Sequence, residues 1–96
     1  MKFEWDRKKA EANLAKHGVS FEDGSTVFGD SLAGTIPDPL HSADEARFIT
    51  VDHSAAGNLV VVVHAERGER ARIISARLAT SAERKRYESK TRAQKQ

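Results

Sequence analysis

Residues 59–77, LVVVVHAERGERARIISAR, decide the fold. Leu59 to Ala65 is the most β-branched stretch of the chain, and branched side chains suit a pleated, half-buried surface. Gly68 interrupts it, and Arg70 to Arg77 returns as a second strand, so the segment reads as a hairpin at the centre of a sheet. Register then decides which side chains share a face. A two-residue Arg67-Gly68 turn sets Glu66 opposite Glu69, like charge against like charge. A three-residue loop, Glu66-Arg67-Gly68, pairs Ala65 with Glu69 and Val63 with Ala71, with Gly68 in the left-handed bulge position. This second register separates apolar from charged residues and is preferred for that reason. It predicts an apolar face of Val61, Val63, Ala65, Ala71 and Ile73, and an opposite face of Val62, His64, Arg70, Arg72 and Ile74.

Upstream of the hairpin, Arg47 to Asp52 reads as a strand, followed by a turn from Ser54 to Asn58 around Gly57. Leu32 to Ile36 reads as another strand, which Pro37-Asp38-Pro39 ends, because neither proline donates to a ladder. The polar segment through Ala46 reads as a surface loop. At the N-terminus, Phe3-Glu4-Trp5 alternates like a short strand. Asp6 caps a helix from Arg7 to about His17, with Ala10, Leu14 and His17 on one face and Gly18 as its left-handed end. Ser20-x-x-Asp23 opens a second, shorter helix with Phe21, Ser25 and Phe28 on one side, broken at Gly29-Asp30. Downstream, Thr80-x-x-Glu83 is a capping box for a helix from Ser81 to at least Tyr87. Residues 89–96 read as a frayed basic tail.

These elements predict one α+β domain over residues 1–96. Its antiparallel sheet has about four to five strands, with two N-terminal helices and a C-terminal helix. Helices from both ends of the chain are expected to cover one face of the sheet and leave the other open. With 96 residues and 39% hydrophobic content the chain has room for one modest core. It has no cysteine, which excludes disulfides and Cys-based metal sites. The longest apolar run is strand-sized, and the opening Met1-Lys2-Phe3-Glu4-Trp5-Asp6 has no apolar signal segment. The expectation is a soluble cytoplasmic protein without membrane contact.

Net charge is +2, unevenly placed. Residues 1–71 hold 8 Lys/Arg and 12 Asp/Glu, whereas residues 72–96 hold 8 and 2. A basic end on an acidic body suits phosphates or an acidic partner; its plain alternative is a solvated tail. RNA cleavage by 2′-hydroxyl attack needs a base for the hydroxyl proton, cations for the phosphorane-like charge and an acid for the leaving oxygen. His64 is a candidate base or acid and Glu66 a second candidate base. Arg72 and Arg77 are candidates for the catalytic charge clamp, because planar guanidinium forks grip phosphate. Arg47, Arg70, Arg84 and Lys85 are candidate RNA-binding residues. Each has a structural alternative: a core histidine, solvent-facing turn residues, a solvated helix. Tyr87 has two readings, packing on the sheet or acting near the substrate, of which packing is preferred. His17 suits a helix end, and His41 and His53 have no ligand-like spacing, so neither metal nor cofactor is expected.

Two stretches resemble a known family. Phe3-Glu4-Trp5-Asp6 … Lys9 … Asn13 … Lys16-His17-Gly18-Val19-Ser20-Phe21 is similar to the opening of BrnT-family toxins. Arg72-Ile73-Ile74-Ser75-Ala76-Arg77, then Thr80 … Glu83-Arg84 … Tyr87-Glu88, is similar to their close. The likeness spans residues 2 to 88; one departure is Leu78, where such toxins carry proline after the arginine. The resemblance implies a RelE-like fold and a ribonuclease that blocks translation. It also implies a BrnA-type antitoxin with a ribbon-helix-helix DNA-binding domain, operator contact through that antitoxin alone, and a dimer or heterotetramer with it. Arg72 and Arg77 stand inside the matching motif, whereas His64 and Glu66 rest on the hairpin register. The competing reading is a non-catalytic subunit that binds RNA or protein. A repressor acting alone fits poorly, since there is no helix-turn-helix pattern and the first 71 residues are acidic.

Overall fold

The computed structural model describes residues 2–29, 34–38 and 45–94. Along the chain run β1 (Lys2–Glu4), α1 (Arg7–His17), α2 (Phe21–Ser25), a 3-10 turn (Thr26–Gly29), β2 (Gly34–Pro37), β3 (Arg47–His53), β4 (Leu59–Arg67), β5 (Arg70–Leu78) and α3 (Ser81–Gln94). The strands form one five-stranded sheet in the order β1-β5-β4-β3-β2. Strands β2 to β5 are an antiparallel meander, as expected, but β1 pairs parallel to β5. The sheet is therefore mixed rather than antiparallel throughout. Alternating side chains announce a strand but say nothing of its direction, and the helical layer between β1 and the meander permits the parallel return. Strand β2 keeps Pro37 inside the ladder, opposite Phe48, which an edge strand tolerates. The rest of the expected 37–46 loop lies mostly outside the described residues, as do residues 32 and 33 of the expected strand.

Local signals set the helices. Asp6 caps α1 by accepting from the Lys8 N–H at 2.9 Å, and Gly18 ends it at φ 71°. The inward face of α1 is Ala10, Asn13 and His17; Leu14, expected inward, is 51% exposed. Asn13 takes the buried place because its amide has backbone partners there. It donates to the Val19 and Ala76 carbonyls at 2.9 and 2.7 Å and accepts from the Ala76 N–H at 3.1 Å. Ser20 caps α2 through the Asp23 N–H at 3.0 Å. Gly24 lies so close to the sheet that a Cβ there would meet the Ala76 Cβ at 3.1 Å.

The core lies between this helical layer and one face of the sheet. Val19, Phe21 and Val27 pack on Val60, Val62, Ile73 and Ala76, with Phe3, Trp5, Ala10 and Phe28 around the margin. Phe21 is fully buried, which contributes about 2 kcal/mol relative to exposure. Helix α3 does not join α1 and α2. Its Tyr87, Glu83 and Arg86 border a groove floored by Ile49, Val51 and Val61, residues of the opposite sheet face. The expectation that terminal helices share one face is thus corrected. Ala82, one of its two expected packing residues, is exposed and Tyr87 only half-buried, so α3 offers little to a core, and polar ties decide its place. It continues past Tyr87 to Gln94. No helix among the described residues is long and apolar enough to cross a membrane.

The hairpin differs from both expected registers. Arg67 pairs with Arg70 around a two-residue Gly68-Glu69 turn, with Gly68 at φ 64° in the first turn position. The like-charge pair that this creates is offset by Glu4 of β1, whose carboxylate lies 3.9 Å from Arg67 and 3.6 Å from Arg70. A second irregularity follows. Val63 pairs with Ser75 but His64 pairs with Ile73, so Ile74 is an extra residue in β5.

Candidate active site

The Ile74 bulge determines what the open sheet face carries. Residues 72 and 77 are an odd number apart, and a regular strand would place them on opposite faces. One inserted residue restores them to the same face. Before the bulge, Arg70 and Arg72 pair with Arg67 and Ala65; after it, Ser75 and Arg77 pair with Val63 and Val61. All of these side chains lie on the face away from α1 and α2, whereas Ala71, Ile73 and Ala76 are buried on the core side.

Two rows of side chains cross this open face. Toward the hairpin turn, Glu4, Arg72, Ala65 and Arg47 lie side by side on β1, β5, β4 and β3. Arg72 is half-buried and forms an ion pair with Glu45. Glu4 joins Arg67 and Arg70 to the same patch, giving four arginines and two carboxylates at one end of the sheet. Toward α3, Arg77, Val61, Val51 and Gly34 form the second row. The Arg77 guanidinium grips Glu83 with two hydrogen bonds, 2.8 and 2.9 Å. This fork holds the Glu83 carboxyl down at about 2 and raises the Arg77 value. Glu83 also accepts from the Thr80 N–H at 2.8 Å, while its own N–H donates to Thr80 Oγ1 at 3.2 Å, completing the expected capping box. Arg72 and Arg77 are therefore on one face but about 15 Å apart along the strand.

His64 is elsewhere. The expected register placed it beside Arg70 and Arg72; the observed one turns it into the core, opposite Ile73 and 2% exposed. Its ring meets Phe28 edge-on at 4.7 Å and stacks on Phe48 at 5.9 Å. Nε2 bonds Thr50 Oγ1 at 2.8 Å, and Thr50 continues to Thr35 at the same distance. Burial pushes the imidazole down to about 4, so it is neutral near neutral pH. Glu66 is exposed near the turn, on the parity of the core face. Arg84 and Lys85 are exposed on α3, and neither borders the groove. His41 lies outside the described residues; His53 ends β3 with its ring 5.5 Å from Tyr87.

Sequence reasoning missed Arg67, Arg86, Glu4 and Glu45 as members of this face. For Arg86 a signal existed: Glu83, Arg86 and Tyr87 stand at i, i+3 and i+4, one side of a helix. For the hairpin arginines the odd spacing of 72 and 77 within one strand was the signal. Nothing local marks the approach of Glu4 or Glu45. Among the described residues no group of three or more His, Asp and Glu side chains is arranged to hold a metal ion.

Comparison with known proteins agrees with this architecture. The family described as "Ribonuclease toxin, BrnT, of type II toxin-antitoxin system" matches residues 5–83. The crystal structure of the Brucella abortus ribonuclease toxin BrnT superposes with a TM-score of 0.67 at 28% sequence identity, over 84% of this chain and 99% of that one. Among curated proteins none matches significantly. The family match takes in both helices of the first layer, the whole sheet from β2 to β5 and the start of α3, and with it the chain belongs to the BrnT family of ribonuclease toxins of type II toxin-antitoxin systems.

Proposed function

We propose that this chain cleaves RNA on the open face of its sheet, with no metal in the reaction, and that of the two motif arginines Arg72 acts at the reacting phosphate while Arg77 holds the RNA farther along the strand. The observation that carries this reading is the Ile74 bulge, which brings Arg70, Arg72 and Arg77 onto one face with Arg47 and Arg67. In the reaction the ribose 2′-oxygen attacks the adjacent phosphorus, and the bond to the 5′-oxygen breaks, leaving a 2′,3′-cyclic phosphate. A carboxylate takes the 2′-hydroxyl proton; Glu45, in contact with Arg72, is in place for this. The guanidiniums of Arg72 and Arg47 flank Ala65 and share the charge of the pentacovalent phosphorus. The departing 5′-oxygen takes a proton from water. Arg67, Arg70 and Arg77 hold neighbouring phosphates, and Arg84 and Lys85 add to the field that draws RNA in.

His64 has no part in this scheme, because it is buried and neutral beneath the sheet. Glu66, exposed near the turn, is the remaining sequence candidate for the base, and a Glu45→Gln and Glu66→Gln pair separates the two. The neutralising partner is a BrnA-type antitoxin that covers the arginine face and touches operator DNA through its own ribbon-helix-helix domain, as a dimer or heterotetramer with the toxin.

The test is direct. The purified chain should cut a single-stranded RNA in the presence of EDTA and leave cyclic phosphate ends. The Arg72→Ala, Arg77→Ala double variant should lose at least a hundredfold in rate while its sheet core keeps a cooperative melt, the helical signal of α3 alone falling because Arg77 no longer anchors Glu83. Equal activity in wild type and double variant, or loss of cleavage on chelation, would sink the scheme.

A further inference from the structure

The arginine face continues into a feature that cleavage chemistry does not use. Between the sheet and α3 runs a groove of about 180 Å³, lined by Gly34, Ile36, Ile49, Val51 and Val61 with Tyr87 as its wall. Arg77, Arg86 and Glu83 stand at its rim. Two contacts fix the Tyr87 ring: its hydroxyl donates to Asp52, and it lies T-shaped to the His53 ring with centroids 5.5 Å apart. We infer that this groove is a nucleobase subsite, which takes one unpaired base of the RNA substrate against Val51, Val61 and Tyr87 while Arg77 and Arg86 hold its phosphate. The inference rests on the ribonuclease reading above and deepens it.

Three properties select a base over other occupants. The space accepts a flat ring system but not an α-helix, whose side chains make it 10–12 Å across. The floor is aliphatic and one wall aromatic, which stacks on any base because every base has a π-face. The rim carries two guanidiniums against one carboxylate, Glu83, which already binds Arg77, so it keeps a net positive edge led by Arg86; an apolar ring with an attached anion is matched in both parts, whereas an apolar peptide side chain is matched in only one. With a floor of aliphatic side chains, the groove senses that a base is unpaired more than which base it is. A base within a duplex is stacked and paired and cannot enter.

The experiment is an abasic scan. A short single-stranded oligoribonucleotide with one preferred cut is made in versions lacking the base at each successive position, and kcat/KM is measured on each. One position, a few nucleotides from the cut, should lose about tenfold, the range for a stacked base. Tyr87→Ala should cost the intact substrate a similar factor and add little on the substrate abasic at that position. Because Tyr87→Ala also frees α3, Ile36→Glu is the second variant; Ile36 is 51% exposed, so the fold tolerates the change. It should raise KM on the intact RNA and leave the abasic substrate nearly unaffected. A flat abasic profile from an enzyme that still cuts RNA overturns the subsite and leaves the ribonuclease reading standing. Failure to cut any oligonucleotide removes both. If Ile36→Glu abolishes binding of the cognate antitoxin while the abasic profile stays flat, the groove belongs to the protein partner and the inference is overturned.

Discussion

His64 shows how one side chain can be chemically apt and structurally unavailable. Its imidazole meets Phe28 edge-on, stacks on Phe48 and bonds Thr50, and burial holds it at about 4 against an ordinary 6.5. Between those values the unfolded chain binds a proton that the folded chain refuses. Stability from this residue is therefore full above about pH 6.5 and is lost as pH falls toward 4. Thermal melts at pH 7 and pH 4.5 should show a drop in wild type that is smaller in His64→Phe. RNA cleavage at pH 7 by His64→Phe should stay within a few-fold of wild type, since the ring does not reach the arginine face. A hundredfold loss without unfolding would return His64 to the catalytic set.

At the scale of elements, a strand irregularity and a helix cap position the charges. The bulge at Ile74 rotates the second half of β5, and Asn13 of α1 holds both backbone groups of Ala76, next to Arg77. The side chain stands in for a neighbouring strand where β1, which pairs only with residues 70–72, has ended. Asn13→Ala leaves the Ala76 N–H and C=O and the Val19 carbonyl buried without a partner, and should cost about 1–3 kcal/mol in a denaturant melt. Its residual cleavage should fall further than that of Val27→Ala, a core truncation remote from Arg77. Helix α3 depends on the Arg77–Glu83 fork. Glu83 sits at about 2 against an ordinary 4.5, so the anchoring is complete above pH 4.5 and is lost as pH falls toward 2. Helical signal from α3 should melt over that window in wild type. In Glu83→Gln the loss should be present already at neutral pH, with no acid transition from this site.

Across the whole molecule the five arginines of β3, β4 and β5 lie on one face, and three carboxylate partners, Glu4, Glu45 and Glu83, lie among them. Internal pairing keeps the face from acting as a bare cation patch. RNA binding must displace or share those partners, so the salt dependence should be moderate. With about three phosphates engaged, the slope of log affinity against log salt should be about −2 for single-stranded RNA. Arg72→Ala should make it shallower by about 0.7, whereas a slope near zero would remove the open face as the RNA site.

Elements with a local cause were legible in the sequence: the capped helices at Asp6, Ser20 and Thr80, the Gly18 stop, the Val-rich centre, the order of strands and the family itself. Arg72 and Arg77 were legible as candidates because they stand in a recognisable motif. What the sequence could not determine was which side of the sheet each residue occupies. That depends on a two-residue turn, one inserted residue and the approach of Glu4 and Asn13 from far along the chain. Strand periodicity has a period of two, so a single shift exchanges the faces completely. Tertiary packing decided that shift: it moved His64 into the core, placed five arginines on the open face, and set α3 opposite the helices that precede it.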